Sequence, residues 1–142
     1  MVLAESPSQA SPHATVLIID DDEGDLKYWS DTVRNFAPNY TVLSAPDCRS
    51  GLAICRDRTV DCVLLDLDMP ESGFFALIEL VPDRERPAVA VIFLTYLVHP
   101  ILAEMTKHNG AQAWMVKQHT SAEELGTAIQ QAISSVKSTR KH

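Results

Sequence analysis

The stretch VLLDLDMP, residues 63–70, carries an apolar run into two aspartates, Asp66 and Asp68, and then Pro70. A continuous Val/Leu run is the mark of a strand buried on both faces of a parallel sheet. The carboxyl ends of such strands are where open α/β sheets bind their ligands. Asp66 is therefore expected at the chemical edge of a sheet, with Asp68 and Pro70 directly behind it.

The pattern extends in both directions from this point. TVLII (15–19) is a β-branched run, followed by the acidic turn DDDEGD (20–25) and by Leu26, Trp29, Val33 and Phe36, which share one helical stripe. YTVLSA (40–45) reads as a second strand, and Asp47 as the cap of a helix carrying Leu52 and Cys55. After MPESG (69–73) a short apolar helix runs through Val81 to a stop at Pro82, and AVAVIFLT (88–95) reads as a fourth strand. Pro100 suits the first turn of a helix with Ile101, Leu102 and Met105, which Gly110 closes. AQAWMV (111–116) is a fifth strand, and Ser121 with Glu124 forms a capping box for a last helix carrying Leu125, Ile129, Ile133 and Val136.

Five strands alternating with five helices predict an α/β domain: a three-layer, doubly wound, five-stranded parallel sheet with right-handed crossovers. No internal repeat is visible. The loops after the first, third, fourth and fifth strands then converge at one edge, bringing together DDDEGD, Asp66, Thr95 and Lys117. Three carboxylates on neighbouring strand ends repel one another unless a cation is present, and an all-oxygen set suits Mg2+ or Mn2+. With its charge neutralised, Asp66 can act as a nucleophile towards phosphorus. Lys117 offers a fixed positive charge and Thr95 a hydroxyl to the phosphoryl oxygens. Singly, these residues read as a solvated turn, a strand-end threonine and a surface lysine; their joint position at the ends of the right strands makes a phosphoryl acceptor site.

The totals fit one domain. The chain has 142 residues, 46% of them hydrophobic and 22% charged, and no apolar run approaches the ~18 residues of a membrane span. Residues 1–14 are Ser/Pro/Ala-rich and read as a disordered leader without the features of a secretory signal, so a cytoplasmic location is expected. The folded domain is expected over 15–137 and a basic tail over 138–142. Cys48, Cys55 and Cys62 are odd in number and lack a Cys-x-x-Cys spacing, which argues against a disulfide framework or zinc site. The net charge of −7 disfavours nucleic acid and anionic lipid as partners. DDDEGD does not fit a calcium loop, because aligning Gly24 to that motif's glycine puts Ile19 at the first ligand position. Phosphate-cradling glycine loops are absent.

Over about residues 15–136 these motifs resemble the response-regulator receiver domains of two-component signalling. The resemblance implies a flavodoxin-like strand order, 2-1-3-4-5. VLIIDDDEGDLKYW resembles the family's first strand and acid pair, implying Asp20 and Asp21, with Asp22 as the near alternative. LLDLDMP resembles the phosphoacceptor motif, implying Asp66 as acceptor and Asp68 as donor of a backbone carbonyl to Mg2+. VIFLT implies Thr95 as the switch hydroxyl, and GAQAWMVK implies Trp114 as the switch aromatic and Lys117 as the family lysine.

The implied partners are a sensor histidine kinase or histidine phosphotransfer protein upstream and a protein target downstream. That target is reached through the face of the fourth helix, fifth strand and fifth helix, with the chain a monomer or weak homodimer. Nothing after Val136 is long enough for an output domain, so signalling through contacts is expected. Three positions depart from the family pattern. Gln118 replaces the usual proline after the lysine, so a trans bond and a reshaped loop are expected. The loop after Pro70, ESG, is about one residue short. Tyr96 stands where a small residue is commoner and is expected to gate the site, the alternative being that it points outward and serves the partner surface. Two rival readings are a haloacid-dehalogenase-like phosphatase, with Asp68 as general acid/base, and a receiver-like binding module that is never phosphorylated.

Overall fold

The computed structural model describes residues 13–66 and 70–140; Asp68, the leader through residue 12 and the last two residues of the tail lie outside the described residues. In chain order the elements are β1 (Thr15–Ile19), α1 (Glu23–Phe36), β2 (Thr41–Ala45), α2 (Cys48–Asp57), β3 (Cys62–Leu65), α3 (Pro70–Leu80), β4 (Ala90–Thr95), α4 (Pro100–His108), β5 (Ala113–Val116) and α5 (Ala122–Arg140), with a short 3-10 turn at Lys117–His119 between the last two. The strands form one parallel sheet in the order β2-β1-β3-β4-β5. This is the doubly wound α/β architecture, flavodoxin-like in its strand order.

The two-residue period of the strands divides the core in two. Val16, Ile18, Leu64, Ile92 and Leu94 pack with Trp29 and Val33 of α1 and with Leu125, Ile129 and Ile133 of α5. Leu17, Ile19, Val63, Leu65, Val91 and Phe93 pack on the opposite side with Leu77 of α3, and Leu52, Leu102 and Trp114 join them. Every residue of β3 and β4 is buried, as central strands covered by helices on both faces require.

Helix starts follow local chemistry. Asp22 caps α1 by accepting from Asp25 N, and Asp47 caps α2 by accepting from Ser50 N. His99 Nδ1 accepts from Leu102 N at the start of α4, where Pro100 needs no partner for a missing N–H. Ser121 Oγ accepts from Glu124 N while Glu124 Oε1 accepts from Ser121 N, the reciprocal capping box. After α4 the chain turns at Gly110, whose φ of +109° suits a residue without Cβ.

Three boundaries differ from the sequence reading. Residues Glu71, Ser72 and Gly73 are the first turn of α3 and not a loop, because the helix begins at Pro70. β4 starts at Ala90 and not at residue 88, because its pairing partner β3 begins at Cys62, directly opposite Ala90. α5 runs on through Arg140, so residues 138–140 of the expected tail are helical. Lys137 lies near that end, where a cation complements the helix dipole.

The register aims the site. Ile19 pairs with Leu65, and Leu65 with Phe93. The next residues, Asp20 and Asp66, therefore leave the sheet side by side; Asp66 N donates to Ile19 O at 3.0 Å, and Asp20 N to Ala45 O at 3.1 Å. Thr95 pairs with Val116, so Lys117 emerges one residue further along the same edge.

Gly51 lets α2 sit close on β1 below this edge: a Cβ there would overlap Ile19 Cδ1 and lie 2.7 Å from its Cγ1. Gly51→Ala normally favours a helix by about 1 kcal/mol. Here overpacking against the buried Ile19 is expected to outweigh that gain, for a net loss of about 1–2 kcal/mol in urea unfolding.

Candidate functional site

The carboxyl edge of the sheet holds a buried ion cluster around one ammonium. Lys117 Nζ donates to Asp20 Oδ2 at 2.7 Å, to Asp25 Oδ2 at 2.9 Å and to Asp66 Oδ2 at 3.1 Å. An ammonium has three donors, and these contacts use all of them. The side chains of Lys117, Asp20 and Asp66 are 1%, 2% and 4% exposed and that of Asp25 20%, so Asp25 is the partner nearest to solvent. Burial alone would pull the Lys117 amine down; the hydrogen bonds to Asp20 and Asp25 and the charge of Asp66 outweigh it and hold the amine above its ordinary value.

Asp21 completes a second grouping. Asp20, Asp21 and Asp66 each present a carboxylate oxygen, and these oxygens lie within 4.8 Å of one another. Asp20 Oδ1 also accepts from Asp22 N at 2.9 Å, which fixes the loop between β1 and α1. Asp22 itself is turned to the start of α1 as its cap. Carboxylates converging from two strand ends form the oxygen-only donor set that hard divalent cations such as Mg2+ take, so these residues fit the metal that the fold family implies. A cleft of about 220 Å³ opens beside them, lined by Asp20, Asp21, Asp66, Cys48, Arg49 and Ser72. Burial raises the Cys48 thiol above its ordinary value, so it is no ready ligand or nucleophile there.

The remaining expected residues lie on β4 and β5 or just after them. Thr95 is fully buried, and its Oγ1 accepts from Leu97 N at 3.2 Å. Trp114 Nε1 donates to Leu97 O at 3.2 Å, and its ring stacks on Phe93 with centroids 5.5 Å apart. Thr95 and Trp114 thus hold the two sides of one backbone residue. Trp114 is partly buried against the α3 side of the core. Tyr96 lies over the cluster: its ring centroid is 4.8 Å from Lys117 Nζ, and its Oη donates to Asp25 Oδ1 at 3.3 Å. Desolvation and then the charge of Asp25 hold that phenol above its ordinary value. All peptide bonds among the described residues are trans, and the chain passes from Lys117 through Gln118 in the 3-10 turn.

Asp25 is the participant that sequence reasoning did not single out, although it lies inside DDDEGD. The signal is positional. With Asp22 at the cap, Asp25 is the third helical residue, and side chains in the first turn tilt back towards the helix start.

The chain belongs to the response regulator receiver domain family, whose profile matches residues 16–130. It is 30% identical over 105 residues to the protein PilH of Pseudomonas aeruginosa, a match covering 73% of this chain and 85% of PilH. It is 26% identical over 104 residues to the polar-differentiation response regulator DivK of Brucella ovis, covering 72% of this chain and 83% of DivK. Among solved structures it resembles a response regulator receiver domain protein from Clostridium thermocellum, with a TM-score of 0.73 and 28% identity, covering 87% of this chain and 97% of that one. No helix among the described residues is long and apolar enough to cross a membrane.

The ion cluster has a stability consequence with a definite sign. Because the folded-state pKa of Lys117 is raised, its stabilisation is fully present below the unfolded value of about 10.4 and is lost as pH rises through the folded value. Lys117→Met leaves three buried or part-buried carboxylates without their cation, and a loss of about 3 kcal/mol at pH 7 is expected. Thermal melts of both proteins from pH 7 upwards should show the gap closing only above about pH 10.4. Millimolar Mg2+ at pH 7 should return part of the variant's loss.

Proposed function

We propose that this receiver domain is a phospho-aspartate switch in a two-component phosphorelay, accepting phosphate on Asp66. The observation that carries this reading is the position of Asp66: it ends a fully buried strand, its side chain is 4% exposed, and it stands between the acid pair and the Lys117 ammonium at 3.1 Å. A carboxylate so placed has few roles in stability that an apolar residue would not fill better.

In this reading the donor is the phosphohistidine of a sensor kinase or a histidine phosphotransfer protein. An Asp66 carboxylate oxygen attacks phosphorus, the O–P bond forms as the P–N bond breaks, and the leaving imidazole takes up a proton. Asp20, Asp21 and Asp66, together with the backbone carbonyl of Asp68, would hold Mg2+ or Mn2+. Bound there, the cation would neutralise the carboxylates and the charge developing on the phosphoryl oxygens. Lys117 pairs with one phosphoryl oxygen and Thr95 donates its hydroxyl to another. Turning the Thr95 side chain towards the phosphoryl group would carry Oγ1 away from Leu97 N, and the shared Leu97 residue would pass that change to Trp114.

The output follows from the same geometry. A changed Trp114 alters the face of α4, β5 and α5, the surface offered to a downstream protein, where Ile101 and Met105 of α4 are exposed. The chain acts as a signalling phosphoacceptor in the cytoplasm, as a monomer or weak homodimer, with slow self-dephosphorylation as its own chemistry. Tyr96 is assigned a gating role, limiting access of small donors and of water to Asp66. The receiver unit is taken as residues 15–137, with α5 running on through Arg140.

Incubation with Mg2+ and acetyl phosphate, followed by intact mass, tests this reading. One phosphoryl group, removable by hydroxylamine, is expected on the wild type and none on Asp66→Asn. Equal labelling of the two proteins would reject Asp66 as acceptor.

A further inference from the structure

Asp25 spends its two carboxylate oxygens on two different residues. Oδ2 accepts from Lys117 Nζ at 2.9 Å and Oδ1 from Tyr96 Oη at 3.3 Å, while the Tyr96 ring lies 4.8 Å from the same Nζ. Asp25, Lys117 and Tyr96 therefore close a triangle that ties the first turn of α1 to the loop after β4, beside the ion cluster.

We propose that Asp25 is a positioning residue of the phosphoacceptor site: it latches the Tyr96 ring over Lys117 and thereby slows phosphoryl transfer from small donors to Asp66. This deepens the reading above and rests on it. The ring needs such an anchor because Tyr96 is 49% exposed, and an exposed cation–π contact is weak by itself. The hydrogen bond to a carboxylate that is itself fixed by a buried ammonium supplies the second point of attachment. Lys117 Nζ is 3.1 Å from Asp66 Oδ2, so a ring held over that ammonium stands on the Lys117 side of the carboxylate and, in this proposal, narrows a donor's approach from that side. A donor must approach phosphorus-first and in line with the attacking oxygen, so a small lateral obstruction is enough to slow it.

The experiment measures phosphoryl incorporation from acetyl phosphate at saturating Mg2+ by intact mass in wild type, Asp25→Ala, Tyr96→Ala and the double variant. Each single change is expected to raise the rate about fivefold, equivalent to about 1 kcal/mol. The double variant is expected to be no faster than the faster single one, since both remove the same latch. Tyr96→Phe keeps the ring but loses its anchor, so it too should be faster than wild type. In the absence of any donor, Asp25→Ala should shift the NMR resonances of the 13C-labelled Tyr96 ring, a readout a remote structural role would not move. Equal rates in Asp25→Ala and wild type would overturn the latch. So would fold-increases that multiply in the double variant, or a Tyr96→Phe protein that keeps the wild-type rate. An adduct in none of the proteins would overturn the phosphoacceptor reading and the latch together, whereas adducts formed at equal rates would overturn the latch alone.

Discussion

The structure depends on one ammonium group held among carboxylates from three separate elements. Lys117 follows β5, Asp20 follows β1, Asp66 follows β3 and Asp25 lies in the first turn of α1, yet all meet within hydrogen-bond distance. A buried charge without its partners costs several kcal/mol. The sheet register, the cap of α1 and the turn after β5 are therefore bound together, since a slip in any one leaves a charge stranded. The same arrangement is unbalanced, because one ammonium is paired with Asp20, Asp25 and Asp66, and Asp21 adds a fourth carboxylate beside Asp20 and Asp66. That surplus of negative charge suits a divalent cation at Asp20, Asp21 and Asp66. Under the proposed function, an arriving phosphoryl group would compete with an existing acceptor for Lys117, and Asp25 is the partner nearest to solvent.

A second chain of contacts leads away from the cluster. Thr95 and Trp114 grip the N–H and the C=O of Leu97, so a rotation of the Thr95 side chain would reach an aromatic ring packed on Phe93 without passing through a long path. Physical coupling of this kind needs an element with two arrangements that both ends bias. The segment from Thr95 to Leu97, short and ending in a residue held by one hydrogen bond at its N–H and one at its C=O, has the build of such an element.

Much of this was legible in the sequence, for identifiable reasons. Buried parallel strands are apolar runs, so β1, β3 and β4 announced themselves, and Asp47, Pro100 and the Ser121–Glu124 box marked helix starts that the structure contains. The convergence of DDDEGD, Asp66, Thr95 and Lys117 followed from strand order alone. What the letters could not divide was the acidic run itself. Asp20, Asp21, Asp22 and Asp25 are chemically alike, and only the backbone turn decides that Asp22 caps a helix while Asp20 and Asp25 reach Lys117. Tyr96 presented a similar limit. Its place beside Thr95 pointed to the rim, but the contact that orients its ring comes from a residue 71 positions earlier in the chain.

The central claim is that Asp66, the acid pair and Lys117 act as one phosphoryl-binding unit. The most direct measurement is 19F NMR of the protein with beryllofluoride, which mimics the phosphoryl group on a carboxylate, in the presence and absence of Mg2+. Bound fluoride resonances that appear only with Mg2+, are lost in Asp66→Asn and are weakened in Lys117→Met are the predicted result. Resonances independent of Mg2+, or unchanged in Asp66→Asn, would contradict the account.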